Sequence, residues 1–220
     1  MTIATEQLRR QLDAGLAALQ LDLPASARER LLVYVGLLHK WNRAYNLTAV
    51  RVPAEMVSRH LLDSLAVLPH LRGSRFADVG TGAGLPGIPL AIARPDAQFD
   101  LFDSNGKKVR FLIQAIAGLG LTNVTARQVR IEQVRPAVGY DGVLSRAFAS
   151  LQDMVGCTAQ LLAPEGRFFA MKGLWPADEL AALPDGYTVE AGHRLQVPGE
   201  IAERHLVILQ RAEAGHDRAG

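Results

Sequence analysis

The stretch RFADVGTGAGLPGIPLAIA (residues 75–93) carries the clearest structural signal in the chain. It opens with a short apolar run typical of a buried strand and closes with a longer apolar run suited to a helix. Between the two runs lie Gly80, Gly82, Gly84 and Gly87. Glycine permits positive φ angles and close approach of a ligand to the backbone, and a helix N-terminus offers free N–H groups to an anion. The stretch therefore predicts a strand, a ligand-binding loop and a helix.

Alternating strand and helix patterns fill the rest of the chain after residue 72. The predicted strands are 75–80, 99–103, 123–129, 140–146, 166–173, 187–197 and 205–211, and the predicted helices are 86–93, 105–118, 131–135 and 150–162. Such alternation predicts an α/β fold with a parallel sheet wound on both faces. The last two strands follow each other without a helix, so they must pair antiparallel. We expect a mostly parallel, Rossmann-like sheet with an antiparallel hairpin at one edge.

The segment before residue 72 has helical periodicity instead. Leucines recur at spacings of four, four and three over residues 8–19, which predicts an amphipathic helix. Ser26 and Glu29 have the spacing of a capping box, which predicts a second helix that begins at Ser26. Pro53 is suited to the first position of a third helix. The sequence therefore predicts a helical segment ahead of the sheet.

Composition sets the outer limits of the interpretation. The 220 residues carry a formal net charge of +2 and are 49% hydrophobic, which excludes disordered and collagen-like chains and does not by itself indicate a nucleic-acid partner. The single cysteine, Cys157, excludes an internal disulfide. We predict an N-terminal helical extension (1–72), an α/β domain (73–212) and a flexible tail (213–220). The chain shows neither a signal-peptide core nor an apolar run of about 20 residues, so we expect a cytoplasmic protein without membrane contact.

Two cofactors compete for the glycine loop. Gly82, Gly84 and Gly87 match GxGxxG, which is typical of dinucleotide binding, although glycine-rich loops produce this spacing by chance and a proline lies inside it. Read from Asp78 through Gly80, the loop instead resembles motif I of class I S-adenosylmethionine-dependent methyltransferases. The ammonium of that cofactor needs a carboxylate or a carbonyl, and its carboxylate needs backbone N–H groups.

Two further acids stand at strand ends. Asp103 closes the second strand, where a carboxylate can accept bonds from both ribose hydroxyls; the alternative is that it caps the next helix. Ile131 and Glu132 follow the third strand, where methyltransferases usually hold adenine. For Glu132 the alternative is a solvated acid in the first turn of a helix.

Several catalytic patterns are missing from the sequence. It has no GxSxG elbow, no HExxH motif, no His/Cys cluster and no Walker lysine, so we predict no metal site and assign no catalytic residue. His60, Asp63 and Ser64 share one helix face and are predicted to form local hydrogen bonds. Methyl transfer to a nitrogen with a free lone pair needs alignment rather than a general base.

Five segments together resemble the bacterial small-subunit ribosomal RNA methyltransferase G family, formerly called glucose-inhibited division protein B. They are WNRAYNLTAV (41–50), RHLLDSL (59–65), FADVGTGAGLPGIPL (76–90), DGVLSRAFASL (141–151) and ERHLVIL (203–209). The resemblance implies the class I methyltransferase fold with an added helical portion. It also implies S-adenosylmethionine as the cofactor and N7 of the guanine at position 527 of 16S rRNA as the acceptor.

The resemblance also implies cofactor-binding residues. They are Gly80, Leu85, Ile131, Glu132 and Arg146. For Arg146 two roles stay open, a salt bridge to the cofactor carboxylate or a contact with RNA.

The expected partner is 16S rRNA or the small ribosomal subunit. Lys172 and Arg204 are predicted to lie at the ligand edge of the sheet, and we select them as candidate phosphate contacts. Three other functions stay open: methyl transfer to a small molecule or a protein, NAD-dependent oxidoreduction, and RNA binding without turnover. The sequence specifies no oligomeric state.

Overall fold

A computed structural model describes residues 3–212 of the chain. The seven strands within that range are β1 (Arg75–Val79), β2 (Gln98–Asp103), β3 (Val124–Gln128), β4 (Tyr140–Ser145), β5 (Leu162–Lys172), β6 (Tyr187–Arg194) and β7 (His205–Arg211). They form one sheet in the order β3-β2-β1-β4-β5-β7-β6. The pairs from β3 to β5 are parallel, whereas β7 runs antiparallel to both of its neighbours. The predicted α/β fold with an antiparallel edge hairpin is therefore confirmed.

The helices within residues 3–212 cover both faces of the sheet. They are α1 (Ile3–Ala18), α2 (Ala25–Tyr45), α3 (Pro53–Met56), α4 (Asp63–Leu65), α5 (Gly87–Ala93), α6 (Gly106–Leu119), α7 (Leu151–Thr158) and α8 (Ala177–Ala181). A π-helical turn, Val57–Leu62, joins α3 to α4 without a break. The predicted helix start at Pro53 is confirmed.

The sheet separates two apolar cores. Side chains alternate between the faces, so Phe76 of β1 packs with α1 to α6 on one side while Ala77 packs with α7 on the other. The helices that precede β1 thus share a continuous core with one sheet face. The predicted boundary near residue 72 separates the helical segment from the part of the chain that forms the sheet. We keep it as a proposed domain boundary. The predicted tail, 213–220, lies outside the described residues.

Three local predictions need correction. The capping box at Ser26 is wrong: α2 begins at Ala25, its N-cap is Pro24, and no side-chain cap bond forms. The helix predicted over 150–162 ends at Thr158, passes into a 3₁₀ turn, and gives way to β5 at Leu162. The strand predicted over 187–197 ends at Arg194.

The order of the strands creates one crevice. The chain leaves β1 toward β2 and β3, and leaves β4 toward β5, so the connections diverge between β1 and β4. In open α/β sheets ligands bind outside the carboxyl ends of the strands at such a point. The glycine loop follows β1 and Arg146 follows β4, so both lie at this crevice.

Candidate active site

The glycine loop turns sharply at the end of β1. The N–H groups of Gly80 and Thr81 both donate to the carbonyl of Phe102 on β2, at 2.9 and 3.1 Å. Gly80 has φ +67°, and a Cβ there would lie 2.7 Å from the Cβ of Ala147. Only glycine combines this backbone angle with so close an approach of the loop after β4.

Asp78 anchors the loop from beneath. Its side chain is fully buried, and one oxygen, Oδ2, accepts from the hydroxyl of Thr81 at 2.6 Å and from the N–H of Gly87 at 2.8 Å. The other oxygen, Oδ1, has no hydrogen-bond partner among residues 3–212. Burial raises the pKa of Asp78 to about 6. A carboxylate so poorly solvated favours a cationic or hydrogen-bonding partner.

We expect Asp78 to make the unliganded protein more stable as pH falls from 7 to 4.5. Its pKa is raised in the folded state from an ordinary 3.8, so the folded state binds the proton more tightly than the unfolded state. The free energy of unfolding of the wild type should then gain about 2 kcal/mol relative to Asp78→Asn across this window. Urea titrations of both proteins at several pH values measure the difference. A difference that stays constant with pH would contradict the assignment.

A cavity of about 420 Å³ opens beside the loop and is bounded by the helical segment, the loop after β4 and the start of β7. Its lining side chains include the predicted site residues Leu85, Arg146, Lys172 and Arg204, together with Gly80. A second cavity, of about 290 Å³, lies on the other side of Gly80. Because Gly80 and Ala147 line both, the two cavities are neighbours. We call them the larger and the smaller cavity, and together the cleft.

The smaller cavity contains the two acidic positions singled out in the sequence. Asp103, Ile131 and Glu132 all line it. Ile131 is buried, whereas Glu132 is exposed; both belong to a 3₁₀ turn, Ile131–Gln133. The residues that follow β2 and β3 therefore lie together in the smaller cavity, at the edge of the sheet where the sequence predicts ligand binding.

Asp103 links the glycine loop to the start of α6 at the smaller cavity. Its Oδ2 accepts from the N–H of Gly82 at 2.9 Å, and its Oδ1 accepts from the N–H of Asn105 at 2.8 Å. Lys108 lies 3.6 Å from the same carboxylate. The alternative of a helix cap is wrong, because Asn105 caps α6 by accepting from the N–H of Lys107.

Arg146 contacts Asp63, for which the sequence predicts hydrogen bonds within its own helix. Its Nη1 donates to Oδ2 of Asp63 at 2.7 Å, and Nε of Arg204 donates to Oδ1 of the same carboxylate at 3.1 Å. The prediction of local hydrogen bonds for Asp63 is therefore wrong. The two arginines come together with Asp63 on the wall of the larger cavity.

Lys172 lines the larger cavity but is already paired. Its Nζ lies 2.8 Å from the carboxylate of Glu179 on α8, a short helix that the sequence pattern did not reveal. The Lys172 side chain is only 13% exposed. Arg204, with hydrogen bonds to Asp63 and to the carbonyl of Glu203, retains more uncommitted N–H groups than Lys172 does.

His60 adds an uncharged imidazole to this wall. Its Nδ1 lies 2.9 Å from the carbonyl of Arg59, which makes Nδ1 the protonated nitrogen, and its Nε2 lies 2.9 Å from the hydroxyl of Thr48. Burial lowers the pKa of His60 to about 4. At neutral pH the ring thus contributes hydrogen bonding without positive charge.

The cleft fits S-adenosylmethionine by the chemistry of its lining groups. The smaller cavity combines an acid for ribose hydroxyls with an apolar wall, as an adenosine requires. The larger cavity combines the glycine loop with Arg146, which can bind a carboxylate. Across residues 3–212 no group of three metal-ligating side chains is found, and no helix is long and apolar enough to cross a bilayer.

Comparison with known proteins agrees with this geometry. The family model for rRNA small subunit methyltransferase G matches residues 27–207. The ribosomal RNA small subunit methyltransferase G of Yersinia enterocolitica is 57% identical over 91% of this chain and 98% of its own length. The corresponding protein of Sodalis glossinidius is 56% identical over 91% of this chain and 98% of its own length. The chain belongs to the rRNA small subunit methyltransferase G family.

Solved structures support the fold independently of family membership. A methyltransferase from Geobacter sulfurreducens in complex with S-adenosylhomocysteine covers 80% of this chain and 98% of its own, with a TM-score of 0.55 at 12% identity. One from Thiobacillus denitrificans covers 87% of this chain and 100% of its own, with a TM-score of 0.53 at 12% identity. These likenesses confirm the class I methyltransferase fold of the family.

Tyr34 contacts the glycine loop, which the sequence did not reveal. It is fully buried on α2, and its hydroxyl donates to the carbonyl of Ala83 in the glycine loop at 2.7 Å. The residues are 49 positions apart, so no local pattern links them. The bond ties the helical segment directly to the glycine loop.

We expect Tyr34→Phe to weaken both the fold and the loop. The carbonyl of Ala83 would lose a buried donor, which should lower the free energy of unfolding by about 1–3 kcal/mol. Affinity for S-adenosylhomocysteine should fall by about three- to tenfold, the equivalent of roughly 1 kcal/mol. Chemical denaturation and calorimetric titration measure the two effects. Tyr45→Phe, at the C-terminal end of the same helix where the ring stacks on Trp41, is the control and should change neither.

Proposed function

We propose that this protein transfers the methyl group of S-adenosylmethionine to N7 of the guanine at position 527 of 16S rRNA. Membership of the rRNA small subunit methyltransferase G family is the observation that carries the proposal. The two-part cleft supports it, because one cavity suits an adenosine and the other leaves room beyond the glycine loop for a base.

The cofactor is proposed to extend through both cavities. Asp103 would accept the ribose hydroxyls, while Ile131 and Glu132 would flank the adenine. Gly80 would lie at the junction, and Leu85 would line the methionine portion. The Oδ1 atom of Asp78, buried beneath the loop without a partner among the described residues, adds negative charge near the cofactor's cationic groups.

The acceptor base is proposed to enter the larger cavity past Arg146. Its N7 carries a free lone pair, so no side chain has to remove a proton. The bound cofactor supplies an electrophilic methyl group on a positively charged sulfur. The protein therefore has to align guanine N7, the methyl carbon and the cofactor sulfur. It also has to exclude water and balance charge. Neutral His60 and the apolar side chains of Leu85 and Met171 provide the part of the wall that carries no positive charge.

The RNA is proposed to be held mainly by arginine. Arg204 lies beside the cavity with donors free for a phosphate, and phosphate contacts position a nucleic acid without reading its sequence. Lys172 remains a candidate that would have to exchange Glu179 for the RNA. We further propose that residues 1–72 cover the acceptor side of the domain formed by 73–212. A ribosomal RNA substrate, either 16S rRNA or the small subunit, implies a cytoplasmic site of action.

Transfer of labelled methyl groups tests the proposal. The purified protein would be incubated with labelled S-adenosylmethionine and small subunits from cells that lack this methyltransferase. The rRNA would then be digested to nucleosides and the modified position mapped. We expect one labelled product, 7-methylguanosine at position 527. A different labelled nucleoside, or label on a protein or small molecule, would overturn the assignment.

A further inference from the structure

Asp63 directly follows an uncommon backbone feature. It follows the π-helical turn Val57–Leu62, and its N–H donates to the carbonyl of Ser58, five residues earlier. A π turn fits an extra residue into the helix and changes the direction of the side chains that follow. Such turns occur frequently at functional sites. Asp63 is thus the first residue after the π turn, at the start of α4.

The Asp63 carboxylate joins three distant parts of the chain. It is 4% exposed, and its two oxygens are divided between two guanidinium groups: Arg146 after β4 at 2.7 Å and Arg204 before β7 at 3.1 Å. A guanidinium is planar and carries its donors in a fixed fork, so one well-placed acceptor sets the direction of the others. Asp63 thereby sets the orientation of both arginines.

Both arginines keep donors that face the larger cavity. Their side chains are 28% and 22% exposed, and both line the cavity. Arg146 has one hydrogen bond within the described part of the chain, to Asp63, out of five N–H groups. Arg204 also donates to the carbonyl of Glu203 and lies 3.6 Å from Glu200. The unused donors are available to anionic groups in the cavity.

The negative charge of Asp63 also affects the electrostatics of the transfer. The methyl transfer moves a positive charge from the cofactor sulfur to the guanine ring. Two guanidinium groups without a counter-ion beside that ring would oppose the transfer, and low local dielectric strengthens the repulsion. Asp63 offsets one of the two charges and, by holding both groups, keeps them at the edge of the cavity.

We propose that Asp63 is a positioning residue for methyl transfer, holding Arg146 on the cofactor side and Arg204 on the RNA side of the larger cavity. In this arrangement Arg204 binds a phosphate of the acceptor nucleotide and Arg146 defines the place where base and methyl group meet. The inference rests on the proposed function, because it concerns the acceptor side of the same cleft. Asp63, whose side chain is only 4% exposed, would act through the two arginines.

The variant Asp63→Asn distinguishes the positioning of the two arginines from the electrostatic attraction between the basic wall and the RNA. It keeps the size of the side chain but removes one negative charge from a basic wall. Attraction alone would strengthen RNA binding. We expect the Kd for small-subunit rRNA to stay equal or become tighter, while kcat at saturating cofactor and RNA falls by about tenfold or more, since misaligned reacting groups lose rate steeply.

Controls keep the outcomes distinct. Asp96→Asn removes an exposed carboxylate paired with Arg94 and should change neither quantity. Arg204→Lys keeps the charge without the fork and should lower kcat with little change in RNA Kd, so it provides the test if Asp63→Asn does not fold. A kcat of the folded variant within threefold of the wild type would overturn the inference. So would a loss of kcat that only follows the loss of folded protein. An inactive wild type would instead overturn the proposed function.

Discussion

Gly80→Ala is expected to lower the affinity for S-adenosylhomocysteine by about 100-fold, the equivalent of roughly 3 kcal/mol, because a new Cβ displaces the loop. The Cβ would lie 2.7 Å from that of Ala147, far inside van der Waals contact, and at φ +67° the backbone resists a side chain. Gly80 lines both cavities, so any displacement changes both. Calorimetric titration measures the affinity.

Gly120→Ala is a matched control for this experiment. Gly120 has nearly the same φ, +62°, at the end of α6, and a Cβ there meets nothing within 4 Å. It should lose about 1–2 kcal/mol of stability through left-handed strain and bind the ligand normally. Equal losses of affinity in both variants would mean that Gly80 matters for the fold rather than for the cleft.

Asp103→Asn is expected to reduce the affinity for S-adenosylhomocysteine by about 100-fold, if two charge-assisted bonds to the ribose are lost at roughly 1.5 kcal/mol each. The amide would also place N–H donors against those of Gly82 or Asn105, which now donate to the two carboxylate oxygens. Isothermal titration, with circular dichroism to confirm folding, measures the result.

Asp100→Asn serves as the comparison on the same strand. Asp100 accepts from the hydroxyl of Tyr140 and pairs with Arg127, and it lines neither cavity of the cleft. Its replacement should leave the affinity within roughly twofold of the wild type, because Asp100 lines neither cavity. An Asp103→Asn variant that binds as well as this control would contradict the ribose role.

Most of the sheet could be predicted because its signals are local. Strand and helix periods alternate visibly, and Asp103, Ile131 and Glu132 converge simply because parallel strands end at one edge. Local signals also misled at Ser26, where the capping-box spacing is present but the chain enters α2 one residue earlier, after Pro24.

The acceptor side of the cleft could not be predicted, because it depends on tertiary contacts. Asp63 meets Arg146 and Arg204 across 83 and 141 residues of sequence. Asp63 also follows a π turn, which helical periodicity does not reveal. The hydrogen bond from the Tyr34 hydroxyl to Ala83 could not be predicted for the same reason. A leucine-rich helix predicts a buried ring but not the partner of its hydroxyl.

A crystal structure with S-adenosylhomocysteine tests most directly whether the two cavities form one cofactor cleft. We expect the ribose hydroxyls within hydrogen-bond distance of Asp103, the adenine between Ile131 and Glu132, and the amino-acid portion passing Gly80 toward Arg146. The larger cavity beyond the sulfur should remain open for a base. A ligand bound elsewhere, or one whose amino-acid portion fills the larger cavity as far as Arg204, would contradict this arrangement.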